Sequence, residues 1–276
     1  MFLQCGRFRL PLDRPLVMGV VNVTPDSFSD GGLFAGAAQA AAHARRLIDE
    51  GADIIDVGGE STRPGAEPVT LDEERRRVLP VIEALASCGV PLSVDTGKPE
   101  LMRDAVAAGA SMVNDVNALA AAGAMDAVTG SGAAVCLMHK QGDPRTMQVD
   151  PGYQDVVREV RDYLAGRVAA AQAAGIARDR IAVDPGFGFG KNFEHNLDLL
   201  RALCQFTGLG AALVVGLSRK SVLGRITGRE VGDRAFASVA AALVAVRNGA
   251  HIVRVHDVAA TRDALAVWQA AAMPNH

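Results

Sequence analysis

The stretch LVMGVVNVTPDSFSDGG (16–32) begins as a short valine-rich run, ends that run on Asn22, and passes into a loop rich in Gly, Ser and Pro. A β-branched run this short reads as a buried strand. The same unit recurs at DIIDVG (53–58), PLSVD (91–95), SMVND (111–115), AAVCLMH (133–139), RIAVD (180–184), ALVVGLS (212–218) and HIVRVH (251–256). Amphipathic helical segments lie between the runs. Val78, Val81, Ile82 and Leu85 follow i, i+3, i+4, i+7 spacing, and Val156, Val160, Leu164, Val168 and Ala171 form a second stripe. Val239, Leu243 and Val246 form a third, read as core-facing with a subunit interface as the alternative. Gly51, Gly109, Gly175 and Gly249 stand where helices should end before the next run, as C-terminal caps do. Eight strand-then-helix units without a composition break predict an α/β fold, a (β/α)8 TIM barrel with residues 1–276 as a single domain. Long loops follow the first and second runs, at Thr24–Gly36 and Gly59–Val69. An open doubly wound sheet has the same alternation. The barrel is preferred because the count is eight and no GxGxxG follows the first run.

Composition narrows the function. The chain has 276 residues, 49% hydrophobic and 21% charged, a globular balance that excludes disorder. A net charge of −3 argues against general nucleic-acid binding but not against a local anion site. The uncharged stretch 202–218 is broken by Gln205, Thr207 and glycines, so no membrane association is expected. The N-terminal MFLQCGRFRLPLDRP lacks the apolar core of a signal peptide. Cys5, Cys88, Cys136 and Cys204 form no CxxC pair and read as reduced thiols of a cytoplasmic protein.

Nearly every run ends in a polar residue: Asn22, Asp95, Asn114, His139, Asp184, Ser218 with Lys220, and Arg254 with His256. Helix capping accounts for one such residue, not for seven rim positions together. In a barrel they share the C-terminal rim, where active sites lie. Asp95, Asn114, Asp184 and Lys220 combine acceptors and donors suited to a flat, nitrogen-rich heterocycle. Arg254, His256 and Asn22 fall on the last and first strands, neighbours in a closed barrel. Arg with His suits an anion, and Asn22 suits a single Mg²⁺ contact completed by waters and phosphate oxygens. His256 as a general base is the alternative. The DPGFGFGKN segment (184–192) lacks the context of a dinucleotide fingerprint and reads as a turn that closes Phe189 over a ring. The charge of SRKSVLGR (218–225) is local and suits a small anion.

Together VMGVVNVTPDSFSDGG (17–32), GADIIDVGGESTRPGA (51–66), VDTGKP (94–99), DPGFGFGK (184–191), GLSRKS (216–221) and RVHDV (254–258) resemble the signature set of the bacterial dihydropteroate synthases, pterin-binding enzymes. The resemblance spans about residues 16 to 268, in family order. It implies a homodimeric TIM barrel that condenses 6-hydroxymethyl-7,8-dihydropterin pyrophosphate with 4-aminobenzoate. The products are 7,8-dihydropteroate and pyrophosphate, with Mg²⁺ as cofactor and sulfonamides as competitors. By that resemblance Asp95, Asn114, Met138, Asp184, Phe189, Gly216 and Lys220 form the pterin pocket. Asn22, Arg63, Arg254 and His256 form the pyrophosphate side, with Asn22 as the metal contact. Phe28, Thr62, Arg63, Pro64, Ser218 and Lys220 form the aminobenzoate side. The catalytic set is Asp95, Asp184, Lys220, Arg254 and His256. Gly97 departs from the family pattern after VDT and is expected to loosen the helix start beside Asp95. Two rivals use the same barrel: a pterin-binding methyltransferase, and a barrel that binds pterin without catalysis.

Overall fold

A computed structural model of the chain describes residues 1–24, 32–61, 67–142, 147, 149 and 151–272. Eight parallel strands close into a barrel: β3 (Leu16–Asn22), β4 (Ile54–Gly58), β5 (Leu92–Asp95), β6 (Met112–Asp115), β7 (Ala134–Met138), β8 (Ile181–Asp184), β9 (Ala212–Val215) and β10 (Ile252–Val255). Closure is made by β10 pairing with β3, where Arg254 lies opposite Met18 and Val255 opposite Gly19. The barrel read from the eight runs is therefore the fold, and the open sheet is excluded. The outer ring contains α1 (Gly32–Asp49), α2 (Leu71–Leu85), α3 (Pro99–Ala108), α4 (Ala124–Val128), α5 (Val156–Ala173), α6 (Phe193–Arg201), α7 (Ser221–Thr227), α8 (Ala235–Arg247) and α9 (Val258–Ala272).

Strand alternation sorts the side chains into two cores. Val17, Val21, Ile55, Val57, Val94, Val113, Val135, Val183, Leu213 and Val253 point outward and pack under the helices. Leu16, Met18, Ile54, Met112, Ala134, Cys136, Ala182, Ala212, Val214 and Ile252 point inward. This period of two follows from the pleat. The same parity then carries Asp56, Asn114, Asp184 and Arg254 into the barrel, each one inward step above an apolar residue. The lower layers supply stability and the upper layer supplies chemistry.

An antiparallel hairpin, β1 (Phe2–Cys5) and β2 (Phe8–Pro11), precedes the barrel. The sequence reading left these residues unassigned. Leu3 and Cys5 are buried among the inward side chains, and Phe8, Leu10 and Leu12 pack beside them. The turn is pinned where the Gly6 N–H donates to Gly132 O, at 3.0 Å. The hairpin thus plugs the lower end of the barrel. Eight strands leave an interior just wide enough for side chains, and its open bottom needs a cover.

The four expected capping glycines, Gly51, Gly109, Gly175 and Gly249, all have φ between 94° and 120°, so each turns the chain from helix toward the next strand. The first two helical stripes are buried as expected. The third differs. The buried face of α8 is Ser238, Ala241, Ala242, Ala245 and Val246, while Val239 and Leu243 are only half-buried. Small side chains let α8 approach the sheet closely, which leaves the larger valine and leucine at its flank.

Replacing Leu3 by Ala opens a cavity in the barrel floor. The expected cost is about 2–5 kcal/mol, read as a lower urea midpoint with an unchanged slope. An unchanged midpoint would show that the hairpin adds nothing to barrel stability.

Candidate active site

One guanidinium organises the upper layer. Arg254 on β10 donates from Nε to Asp56 Oδ2 at 2.6 Å and from Nη2 to Asp95 Oδ2 at 2.7 Å. Asn114 Nδ2 donates to the same Asp56 oxygen at 3.2 Å. Asp56 is fully buried, and its Oδ1 has no hydrogen-bond partner among the described residues. Burial works against the charge of Arg254, but Asp56 and Asp95 outweigh it and raise its pKa. Burial pushes Asp95 up to about 7; Arg254 opposes this shift and Asp56 adds to it. Two carboxylates share one cation here, so the layer holds surplus negative charge.

Across the barrel, Asp184 at the end of β8 accepts from Gly186 N at 2.7 Å. Burial raises its pKa, against Lys220, the Gly186 N–H and Arg254. Lys220 precedes α7 and donates to Phe187 O, and its Nζ sits 4.3 Å from the Phe189 ring centroid. Burial lowers Lys220 to about 8, with Asp184 opposing. Met138 ends β7 and is buried. Gly216 faces Arg254 and Asp184; a Cβ there would lie 3.8 Å from Arg254 Cβ and 4.0 Å from Asp184 Oδ2. The missing side chain keeps the space between the two ionic groups open.

The loop after β9 is held under strain. Arg219 has φ 60°, in the left-handed region that favours glycine. Its N–H donates to Ser238 Oγ at 2.9 Å, and its guanidinium pairs with Asp257 at 2.7 Å. Those contacts set the directions of Ser218 and Lys220 on either side. Ser218 Oγ lies 2.9 Å from His256 Nδ1 and accepts from His256 N at 3.2 Å. His256, Asn22 and Val20 line a cavity of about 550 Å³ that extends along Gln39, His43 and Arg46 of α1.

A family model described as "Pterin binding enzyme" matches residues 18–256. The chain belongs to the pterin-binding enzyme family. A curated relative, dihydropteroate synthase of Neisseria meningitidis serogroup C, is 52% identical over 97% of this chain and 96% of its own. A solved dihydropteroate synthase of Xanthomonas albilineans, with 4-aminobenzoic acid, superposes with a TM-score of 0.94 at 55% identity over 99% of each chain. That of Burkholderia cenocepacia, complexed with 7,8-dihydropteroate, gives 0.89 at 52% identity over 98% of this chain and 96% of that one. The family resemblance carried by the six motifs is borne out.

Within this pterin-binding barrel, strand order brings Asp95, Asn114, Asp184, Lys220 and Arg254 to one rim. Arg254 differs from its sequence reading. Besides its place beside His256, its guanidinium is bound to Asp56 and Asp95, which the sequence reading did not foresee. Phe28, Thr62, Arg63 and Pro64 lie outside the described residues. Among the described residues no cluster of three or more His, Cys, Asp or Glu could hold a metal ion.

The sequence reading passed over Asp56. Its signal was a carboxylate inside the apolar run DIIDVG, at inward parity. It also passed over the base of the second loop. There Lys98, of the VDTGKP motif, pairs with Glu60 and with the fully buried Glu74. Glu60 Oε1 accepts from Val69 N at 3.3 Å, and Arg77 donates to Gly59 O at 2.9 Å. Both ends of the loop are thereby anchored. At Gly97 the expected looseness is offset. A Cβ there would strike Asn117 Nδ2, whose side chain fills the space, and Thr96 Oγ1 accepts from Lys98 N at 3.2 Å.

Arg254→Met leaves the buried Asp56 and the half-buried Asp95 without their cation, at an expected cost of about 3–5 kcal/mol near neutral pH. Loss of the guanidinium, which opposes the rise at Asp95, lifts the folded Asp95 pKa further above its unfolded value of about 4. The deficit is therefore smallest below that value and grows as pH rises. Thermal unfolding at about pH 5 and about pH 8 checks this; equal deficits at both would contradict the shared-cation arrangement.

Proposed function

We infer that the chain is a dihydropteroate synthase, which condenses 6-hydroxymethyl-7,8-dihydropterin pyrophosphate with 4-aminobenzoate and releases pyrophosphate. The observation that carries the reading is the Arg254-centred layer, in which the strand that ends beside His256 binds the Asp95 carboxylate of the heterocycle group. Neither rival explains that pairing together with the TPDSFSDGG and ESTRPGA loops.

In this reading the pterin lies over the upper layer. Asp95 and Asp184 accept its N–H groups, Asn114 accepts or donates, and Lys220 donates. Phe189 and Met138 form its walls, and Gly216 leaves it room. Asn22, Arg254 and His256 face the pyrophosphate, with Ser218 setting the His256 ring, and Arg63 is assigned to the same group by the family resemblance. Negative charge then grows beside Arg254 and His256 as the leaving group departs. The electron-poor pterin methylene is stabilised by Asp95 and Asp184. Phe28, Thr62, Arg63 and Pro64, with Ser218 and Lys220, receive the aminobenzoate and exclude water from the methylene. An arylamine is unprotonated at neutral pH, so the reaction requires no dedicated base.

Asn22 fits the Mg²⁺ role. It presents one neutral oxygen at a strand end beside the cavity, and the rim lacks a described carboxylate cage. That suits an ion that keeps its waters and binds phosphate oxygens. When bound, it would neutralise charge on the pyrophosphate. The homodimer of the family reading is supported by large apolar side chains exposed on successive helices: Ile226, Phe236, Val244 and Val267. Among the described residues no helix is long and apolar enough to cross a membrane, and the thiols are free. Both features accord with a cytoplasmic location.

Purified protein should release pyrophosphate only when both substrates and Mg²⁺ are present, and sulfonamides should compete with aminobenzoate. Failure to release under any condition would reject the activity. Arg254→Ala should lower turnover by about 100-fold or more. A pterin that donates N–H to Asp95 needs the ionised carboxylate. Its affinity should therefore rise as pH climbs through about 7 and be lost below it. Calorimetry in buffers of differing ionisation heat should show net proton release on binding at the acid end.

A further inference from the structure

Lys191 ends the DPGFGFGK segment with a buried ammonium, only 2% exposed. Its Nζ lies 2.9 Å from His139 Nδ1, 3.0 Å from Phe189 O and 3.4 Å from His139 O. Three donors thus meet three neutral acceptors. Burial pushes His139 down to about 3, with Lys191 adding to the shift, so its ring is neutral and Nδ1 is free to accept. Burial lowers Lys191 itself to about 7, with Asp184 opposing and Lys220 adding. Burying an ammonium is costly, and a methionine of similar length would fill the space.

The partners indicate what that cost achieves. The turn 185–190 lies directly on the chain leaving β7. A Cβ at Gly186 would collide with His139 O, and one at Gly190 with Gln141 O. Tyr153 Oη donates to Gly190 O at 2.9 Å. Lys191 reaches back from the end of this turn to its middle, at the Phe189 carbonyl. The Phe189 ring is the one beneath Lys220, and the Phe187 carbonyl is the Lys220 acceptor.

We propose that Lys191 is a positioning residue for the pterin wall: by tying Phe189 O to His139, its ammonium sets the height at which Phe189 and Phe187 meet Lys220. The proposal rests on the dihydropteroate synthase reading above.

The test measures 6-hydroxymethylpterin binding by calorimetry, alongside steady-state kinetics. Lys191→Met should weaken pterin binding about tenfold, the loss of one charge-assisted contact. The KM for the pterin pyrophosphate should rise without a matching rise for aminobenzoate. Lys191→Met combined with His139→Leu replaces both partners by apolar groups. It should recover much of the thermal stability but not the pterin affinity, because Phe189 O stays untied. Wild-type affinity in Lys191→Met, or affinity that returns together with stability in the double variant, would overturn the proposal. Lys191→Gln, which keeps two donors, stands in if the methionine variant does not fold. On the wild-type protein, the ¹⁵Nζ resonance of Lys191 should move with 6-hydroxymethylpterin and not with pyrophosphate; no movement would also overturn it. A wild-type protein that binds no pterin would instead overturn the assigned activity.

Discussion

The upper half of this barrel depends on Arg254 being divided between Asp56 and Asp95. A charged triad in a protein interior is tolerable only if each member is held by the others. The strands bring Arg254 and Asp56 together from 198 positions apart. Closure of β10 on β3 is what puts an arginine from the end of the chain opposite Met18 and within reach of β4 and β5. An open sheet would leave β10 at one edge and Asp56 buried without its cation. Fold and site therefore stand or fall on one contact.

That contact also explains the division of labour along the barrel axis. Below it the interior is apolar and sealed by Leu3 and Cys5 of the hairpin. Above it the inward side chains are mostly polar, with Val20 and Met138 as apolar walls. Carboxylates outnumber cations there, burial raises Asp95 and Asp184 and lowers Lys220, and Asp56 Oδ1 has no partner among the described residues. A ligand that donates N–H groups to Asp95 and Asp184 and offers an acceptor to Lys220 relieves these burial costs. The layer is least comfortable without its ligand, as sites tuned for binding are.

Much of the architecture was legible because it follows from local rules. Eight β-branched runs, their spacing and the four capping glycines dictate strand, helix and turn, and eight such units close. The rim residues were legible for the same reason: a polar residue ending each of several parallel strands must share a face. The hairpin was not, because short segments such as FLQC and FRLP have no periodicity to distinguish them. The face of α8 was read only in part: Val246 is in the core and Leu243 packs against it, but most of the buried face is alanine, which a search for large apolar residues passes over. Asp56 escaped because nothing local tells a buried carboxylate with a partner from one without.

The sequence by itself determined the eight strand-then-helix units, the family, and the strand-end positions Asn22, Asp95, Asn114, Asp184, Lys220, Arg254 and His256. These depend on residue type and spacing, which the chain carries in its order. Only the tertiary structure decided that Arg254 belongs to the carboxylates, that Ser218 orients His256, that Asn117 fills the space beside Gly97, and that Lys191 reaches back to Phe189. Each is a contact between side chains from different strands or loops. Its energy depends on distance and burial, and neither exists until the barrel has closed.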